Sequence, residues 1–94
     1  MTQFYAPYNG KKPKLVHING HKLLIVSKEQ DVFDLEALEE IGADGVKKMR
    51  ARGSGEDALI ELATKHKSGI VVASSDLDLD QILKGLHQEL PWLH

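Results

Sequence analysis

Three aspartates at alternate positions in the segment SDLDLD are the residues best suited to binding a metal ion. They are Asp76, Asp78 and Asp80, and alternating carboxylates open calcium-binding loops because hard cations prefer oxygen ligands. The glycine and the glutamate that such a loop requires are replaced by Gln81 and His87. We therefore expect the aspartates to cap a helix and balance its dipole. The alternative is a small metal-assisted phosphoesterase or phosphoryl-transfer domain that uses these three carboxylates.

The five histidines do not form a recognisable zinc site. His17 and His21 are the closest pair in sequence, but they flank a predicted two-residue turn, so their rings leave opposite faces of the ribbon. The chain has no cysteine, which excludes thiolate metal sites and cysteine nucleophiles. Its serines lack the motif of a nucleophile elbow. We expect no metal site, no cofactor and no enzymatic activity.

Charge is sorted along the chain, although the net charge is only −2. Residues 1–28 contain five lysines and no acid, and residues 29–44 contain seven acids and no base. Residues 47–52, KKMRAR, then add four basic side chains. Such sorting predicts a strongly dipolar surface. The first candidate binding patch consists of the basic residues Lys47, Lys48, Arg50 and Arg52.

The second candidate binding surface lies in residues 1–13, which hold three of the five aromatic residues. Phe4, Tyr5 and Tyr8 follow a period of neither two nor 3.6 residues, so the segment is predicted to be an irregular arm. The sequence leaves three interpretations of this arm open. It packs over an open edge or face of the domain, it offers a stacking surface to bases or a peptide, or it is disordered. Together, the aromatic arm and the basic patch indicate a small non-enzymatic binding or regulatory module whose partner is a protein or a nucleic acid.

A β-hairpin is the clearest local signal in the chain. The dipeptide Asn-Gly supplies the two residues of a type I′ turn between β-rich runs. The predicted strands are 14–18 and 21–27, with Val16 opposite Leu23. Both faces of this hairpin are apolar, so it needs cover on both sides.

Four helical segments and one further strand follow the hairpin. Asp31 or Asp34 begins the first helix, a capping box of Ser54 and Asp57 begins the third, and Asp78 begins the last. In each helix, apolar residues spaced three or four positions apart identify the side that is expected to face the core. The helices are predicted at 31–41, 45–52, 55–67 and 79–89, and a buried strand at 70–74.

The expected fold is of the α/β (α+β) class, a single two-layer domain over residues 14–94 that follows the arm 1–13. The element order is ββ-α-(α)-α-β-α, with one three-stranded sheet made of the hairpin and strand 70–74. The helices are expected mainly on one face, with the arm and Trp92 closing the other. No apolar run is long enough to span a membrane and the start of the chain lacks a secretory signal, so we expect a cytoplasmic protein without membrane contact.

Residues 34–46, DLEALEEIGADGV, resemble a D-x-x-x-L-x-x-L-G-A-x-G-V stretch in the cysteine-phosphorylated B domains of bacterial sugar phosphotransferase systems. The resemblance implies a helix and a turn after a hairpin. In that family the phosphorylated cysteine lies on the preceding strand, and strands occupy the region where residues 53–69 predict a helix. Because this chain has no cysteine, the resemblance implies no phosphotransfer here.

Overall fold

The computed structural model describes residues 1–18 and 20–87. The strands in this part of the chain are β1 (Thr2–Asn9), β2 (Lys12–Pro13), β3 (Val16–Ile18), β4 (His21–Val26), β5 (Gly45–Ala51) and β6 (Gly69–Val72). The helices are a 3-10 turn (Gln30–Val32), α1 (Leu35–Ile41), α2 (Glu56–His66) and α3 (Asp76–His87). The α+β class predicted from the sequence is confirmed. None of the described helices is long and apolar enough to cross a membrane.

The strands form two three-stranded sheets that meet at a single bridge. β1 lies between β2 and β5, both antiparallel to it, and β4 lies between antiparallel β3 and parallel β6. Tyr5 and Ser27 exchange two backbone hydrogen bonds with nitrogen to oxygen distances of 2.6 and 2.9 Å. These bonds join β1 to the carboxyl end of β4 and so connect the two sheets.

The register of the predicted hairpin is confirmed. The facing pairs of β3 and β4 are Val16–Leu23, His17–Lys22 and Ile18–His21. Gly20 has a φ of +81°, in the left-handed region that a type I′ turn requires, whereas Asn19 lies outside the described residues. β3 is shorter than predicted because the N–H of Lys14 donates to the carbonyl oxygen of Pro7, at 2.8 Å, instead of pairing within the hairpin.

β4 is buried on both faces, and each face belongs to a different core. Leu24 and Val26 pack with Ala58 and Leu62 of α2. On the other face, Ile25 packs with the 3-10 turn, α1 and α3 through Val32, Phe33, Ala37, Ile41, Leu79 and Leu83. Helices thus cover both faces of β4, whereas the sequence predicted them mainly on one. Successive side chains of an apolar strand point to opposite sides, and here both sides need cover.

Residues 1–13 form β1 and β2 rather than the predicted irregular arm. Phe4 and Ala6 are buried, and Gln3 on the other side of the strand is exposed. From Thr2 to Ala6 this is the two-residue period of a half-buried strand, whereas Pro7, on the same side as Gln3, is also buried. The aromatic residues alone do not reveal it, because alanine supplies one of the buried positions.

Pro7 is compatible with β1 because of where it lies in the hydrogen-bond pattern. Tyr5 directs its N–H and C=O toward Ser27, away from β5. Pro7, two residues later, faces the same way, so its missing N–H removes no bond to β5. Its carbonyl oxygen accepts the Lys14 bond described above.

Residues 45–51 form strand β5 rather than the short helix predicted at 45–52. All seven pair antiparallel with residues 2–8 of β1. Met49 and Ala51 are buried while Lys48 and Arg50 are exposed. This alternation has a period of two, and it competes with the helical spacing of Val46 and Met49 on which the prediction was based.

Asp34, one of the two residues predicted to begin the first helix, is its N-cap. The Asp34 carboxylate accepts a hydrogen bond from the Ala37 N–H at 2.8 Å, and α1 ends at Gly42, which has a φ of +84°. The described chain therefore has a helix and a turn after the hairpin, as the resemblance of residues 34–46 implies. Asp31 lies in the 3-10 turn instead of capping α1.

The other helix starts differ from the prediction. α2 has Gly55 as its N-cap and no side-chain capping bond, so the Ser54 capping box is wrong. α3 begins at Asp76 rather than 79, and Ser75 Oγ accepts the Asp78 N–H at 3.1 Å, so serine takes the predicted capping role of Asp78. The strand predicted at 70–74 is β6, at Gly69–Val72. It is not buried as predicted, because it lies at the edge of its sheet and Val72 is exposed. The predicted position of Trp92 lies outside what the structure describes.

Candidate functional site

β5 carries the predicted basic patch but divides it between two faces of a sheet. Met49 and Ala51 point to the inner face, where they pack with α2. Lys48 and Arg50 point to the outer face and are exposed, because side chains alternate along a strand. Among the described residues, neither cation makes a hydrogen bond or an ion pair. The strand thus presents two adjacent, unpartnered cations on one surface.

Two residues of β1 complete this surface. The antiparallel register places Tyr5 opposite Lys48 and Gln3 opposite Arg50. Gln3 is exposed, and Tyr5 is half-buried because it packs against the hydrophobic core. We name these four residues, Gln3, Tyr5, Lys48 and Arg50, the basic outer face. It combines two cations with a phenol hydroxyl and an amide, groups that donate hydrogen bonds to carboxylates or phosphates.

Lys47 does not belong to the basic outer face. Its side chain follows the inner side of β5, and its Nζ donates to the carbonyl oxygen of Gly10 at 2.8 Å. The same Nζ lies 5.6 Å from the centre of the Tyr8 ring, within cation–π range. Burial raises the pKa of Tyr8 above its ordinary value. Lys47 and Tyr8 were both predicted as binding residues, and here they contact each other and hold the β1–β2 turn.

A polar cluster extends this structural role to the loop between α1 and β5. The side-chain amide of Asn9 donates to the Gly42 carbonyl oxygen at 2.9 Å, and its Oδ1 accepts from the Asp44 N–H at 2.9 Å. The Asp44 carboxylate accepts from the Gly10 N–H at 3.2 Å. These bonds connect the β1–β2 turn with the start of β5 and stabilise the register of the β1–β5 pair.

Phe4 and Arg52 lie in environments that differ from those expected of a contact surface. Phe4 is only 3 % exposed and belongs to the core with α2, so it offers no stacking surface. Arg52 follows the strand, and its backbone N–H donates to Glu61 Oε2 of α2 at 2.8 Å. Its side chain is exposed beyond the end of the basic outer face. Of the seven predicted residues, the structure brings together Tyr5, Lys48 and Arg50 on one face.

The aspartates predicted as an alternative metal site lie at the start of α3, with Asp76 and Asp78 in its first turn and Asp80 just after it. The Asp78 carboxylate accepts from both the N–H and the hydroxyl of Ser74, at 2.9 and 3.0 Å. It therefore stabilises the start of the helix. Among the described residues, no group of three histidine, aspartate or glutamate side chains is arranged to hold a metal ion. No observation thus favours the metal-assisted phosphoesterase.

Asp76 and Asp80 instead line an acidic groove between α1 and α3. The groove has a volume of about 220 Å³, and its carboxylates are Asp34, Glu36, Glu40, Asp76 and Asp80. Asp34 is already used as the cap of α1. The tertiary structure thus gathers acids from two distant segments on the helices, while the basic outer face belongs to the strands. The groove was not predicted, since the contact between α1 and α3 has no local sequence signal.

Sequence reasoning also missed that β5 lies at the edge of its sheet. The strand order β2-β1-β5 leaves one side of β5 without a strand partner in the described chain. The alternation of Lys48, Met49, Arg50 and Ala51 was the available signal, but it does not by itself identify the partner strand. No family model, no curated protein and no solved structure matches this chain. These comparisons give no support to the resemblance of residues 34–46.

Proposed function

We propose that this protein is a small non-enzymatic binding module, of regulatory use, that recognises an anionic macromolecule through its basic outer face. The observation that carries the proposal is the alternation of β5, which points Lys48 and Arg50 to the same exposed surface. The partner is an acidic protein segment or a nucleic acid. The proposed location is the cytoplasm, which cell fractionation would test.

The state of the two cations supports this proposal. Lys48 and Arg50 form no intramolecular ion pair among the described residues, so binding an anion breaks no existing bond. Neighbouring cations of the same sign repel each other, and an anionic ligand relieves that repulsion. Tyr5, directly opposite Lys48, adds an aromatic edge for a base or a peptide side chain. The surface is small, so we expect modest and salt-sensitive affinity.

The test is an amide NMR titration of the full chain at low and at physiological salt. Two probes are used separately, a short mixed-sequence single-stranded oligonucleotide and a short polyglutamate peptide. The expected result is a set of shifts centred on Gln3, Tyr5, Lys48 and Arg50 with at least one probe, weaker at the higher salt. Shifts elsewhere, or none with either probe, would contradict the proposal.

Matched variants separate the basic outer face from general charge. Lys48→Ala with Arg50→Ala removes two cations from the outer face, and Lys84→Ala removes an exposed cation from α3. For the oligonucleotide, the double variant should lower the slope of log affinity against log salt by about 1.4 if both cations contact phosphates, since each contact to a single strand contributes about 0.7. Lys84→Ala should leave the slope unchanged. Equal effects of the two changes would reject the assignment to the outer face.

A further inference from the structure

The backbone of β5 shows which groups lie on its open edge. Tyr5 directs its N–H and C=O to Ser27, on the side of β1 away from β5. Backbone groups alternate along a strand, so Phe4 and Ala6 direct theirs to β5 and bond their partners there. The residues between those partners, Val46, Lys48 and Arg50, must therefore direct their N–H and C=O outward, away from β1.

One observation on the same strand agrees with this assignment. Arg52 is the next residue in the outward series, and its N–H donates to Glu61 of α2 rather than to β1. α2 therefore covers the end of the edge. No strand in the described part of the chain pairs with the outward groups at Val46, Lys48 and Arg50. The edge thus offers a short row of backbone donors and acceptors beside two exposed cations.

We infer that this edge takes an acidic, extended polypeptide segment as an added antiparallel strand. The inference rests on the proposed function and names its partner. Backbone hydrogen bonds would align the segment, and antiparallel pairing is the more stable form. The residues of the added segment that lie opposite Lys48 and Arg50 place their side chains on the same face as these two cations. Acidic residues at every second position of the segment therefore meet both cations.

Charge complementarity selects this occupant over the other candidates. A second copy of the same strand would bring Lys48 and Arg50 against like charges, which is unfavourable in cross-strand pairs. A nucleic acid could contact the cations but has no strand of peptide groups to match the row on the edge. An alternating acidic peptide satisfies both the charges and the backbone groups.

The experiment begins with amide hydrogen exchange in the free full-length protein. The N–H groups of Lys48 and Arg50 should exchange rapidly, while that of Met49, between them and directed to β1, should be protected. Protection of Lys48 and Arg50 in the free protein would mean that the edge is already covered. That result would overturn the inference.

The binding probe is a short acetylated and amidated peptide of alternating glutamate and threonine. Binding should protect the amides of Lys48 and Arg50 from exchange. One control peptide has the same composition with its glutamates in a single block, and another carries N-methyl groups on the glutamates, which removes the N–H donors but not the charges. Both controls should bind about tenfold more weakly or worse. Equal binding of the N-methylated peptide would show charge attraction without strand addition and would overturn the inference.

Protein variants complete the test. Lys48→Glu with Arg50→Glu should weaken binding of the alternating peptide by about tenfold or more, and Lys84→Glu, with the same type of charge change on α3, should leave it nearly unchanged. If an oligonucleotide shifts the basic outer face and the peptide does not, the proposed function stands and the inference of strand addition fails. If neither probe binds, both fail.

Discussion

The inner and outer faces of the β1–β5 pair use neighbouring residues of the same strands in different ways. On the inner face, Phe4 and Met49 are buried against α2, and Lys47 is bonded to the β1–β2 turn. On the outer face, Lys48 and Arg50 are exposed and make no bond within the described chain. Lys47 and Lys48 are adjacent in sequence and of the same type, yet one is structural and the other is available to a ligand.

This difference shows that a run of basic residues is not a functional unit in a strand. The two-residue period separates KKMRAR into side chains that stabilise the fold and side chains that face a partner. A helix would have distributed the same residues around its axis. The comparison predicts that changes on the inner face affect stability and that changes on the outer face affect binding.

Among the changes that test the two faces, Phe4→Ala is expected to have the largest effect on the free energy of unfolding. It removes a buried ring from the core with α2 and should lower the free energy of unfolding by about 3–5 kcal/mol. Gln3→Ala, the adjacent outer-face change, should alter it by less than about 0.5 kcal/mol. Urea unfolding followed by circular dichroism measures both. Similar losses for the two variants would mean that β1 does not have the two distinct faces described.

Asp44→Ala tests the polar cluster that connects the β1–β2 turn to the start of β5. The change removes the carboxylate that accepts the Gly10 N–H, so unfolding free energy should fall by about 1 kcal/mol. Asp31→Ala, an exposed change in the 3-10 turn, is the control and should have little effect. The same unfolding measurement applies. An Asp44→Ala protein as stable as the parent would show that the cluster does not stabilise this end of the sheet.

Lys47→Met and Lys48→Met compare the adjacent lysines directly. The first removes the bond to Gly10 and the contact with the Tyr8 ring, which should lower unfolding free energy by about 0.5–1 kcal/mol. The second should change stability by less than about 0.5 kcal/mol but reduce binding of the acidic probe. If Lys47→Met weakened binding as much as Lys48→Met without loss of stability, the division of the basic patch would be wrong.

Tyr8 provides the smallest and most local test of the inner face. Burial raises its pKa above the ordinary value of 10.0, so the folded state favours the neutral phenol. The associated stability is present below about pH 10 and falls as the pH rises through the pKa of the folded protein. Ultraviolet absorbance of a Tyr5→Phe protein, in which Tyr8 is the remaining tyrosine, should give a midpoint above 10. A midpoint at 10 or lower would contradict the burial of this ring.

Several elements could be predicted because their signals are local. The Asn-Gly dipeptide determines the register of Val16 with Leu23. Asp34 and Gly42 mark the two ends of α1 by capping and by a left-handed φ. The apolar run at β6 and the stripe that contains Ala58 and Leu62 predicted a strand and a helix at nearly their observed positions. The predicted burial of the strand is wrong, because β6 lies at the edge of its sheet.

Other features were decided by the tertiary structure. β1 and β5 pair through contacts such as Phe4 with Met49, which are far apart in sequence. Within each segment the helical, extended and irregular interpretations compete, and only burial of Phe4, Ala6, Met49 and Ala51 against α2 selects the strand. The basic outer face depends on that choice. The sequence by itself determined that four basic residues lie close together. All four are exposed, but the pairing with β1 decided that Lys48 and Arg50 share the outer face while Lys47 bonds to Gly10, because strand side chains alternate and one face must be buried.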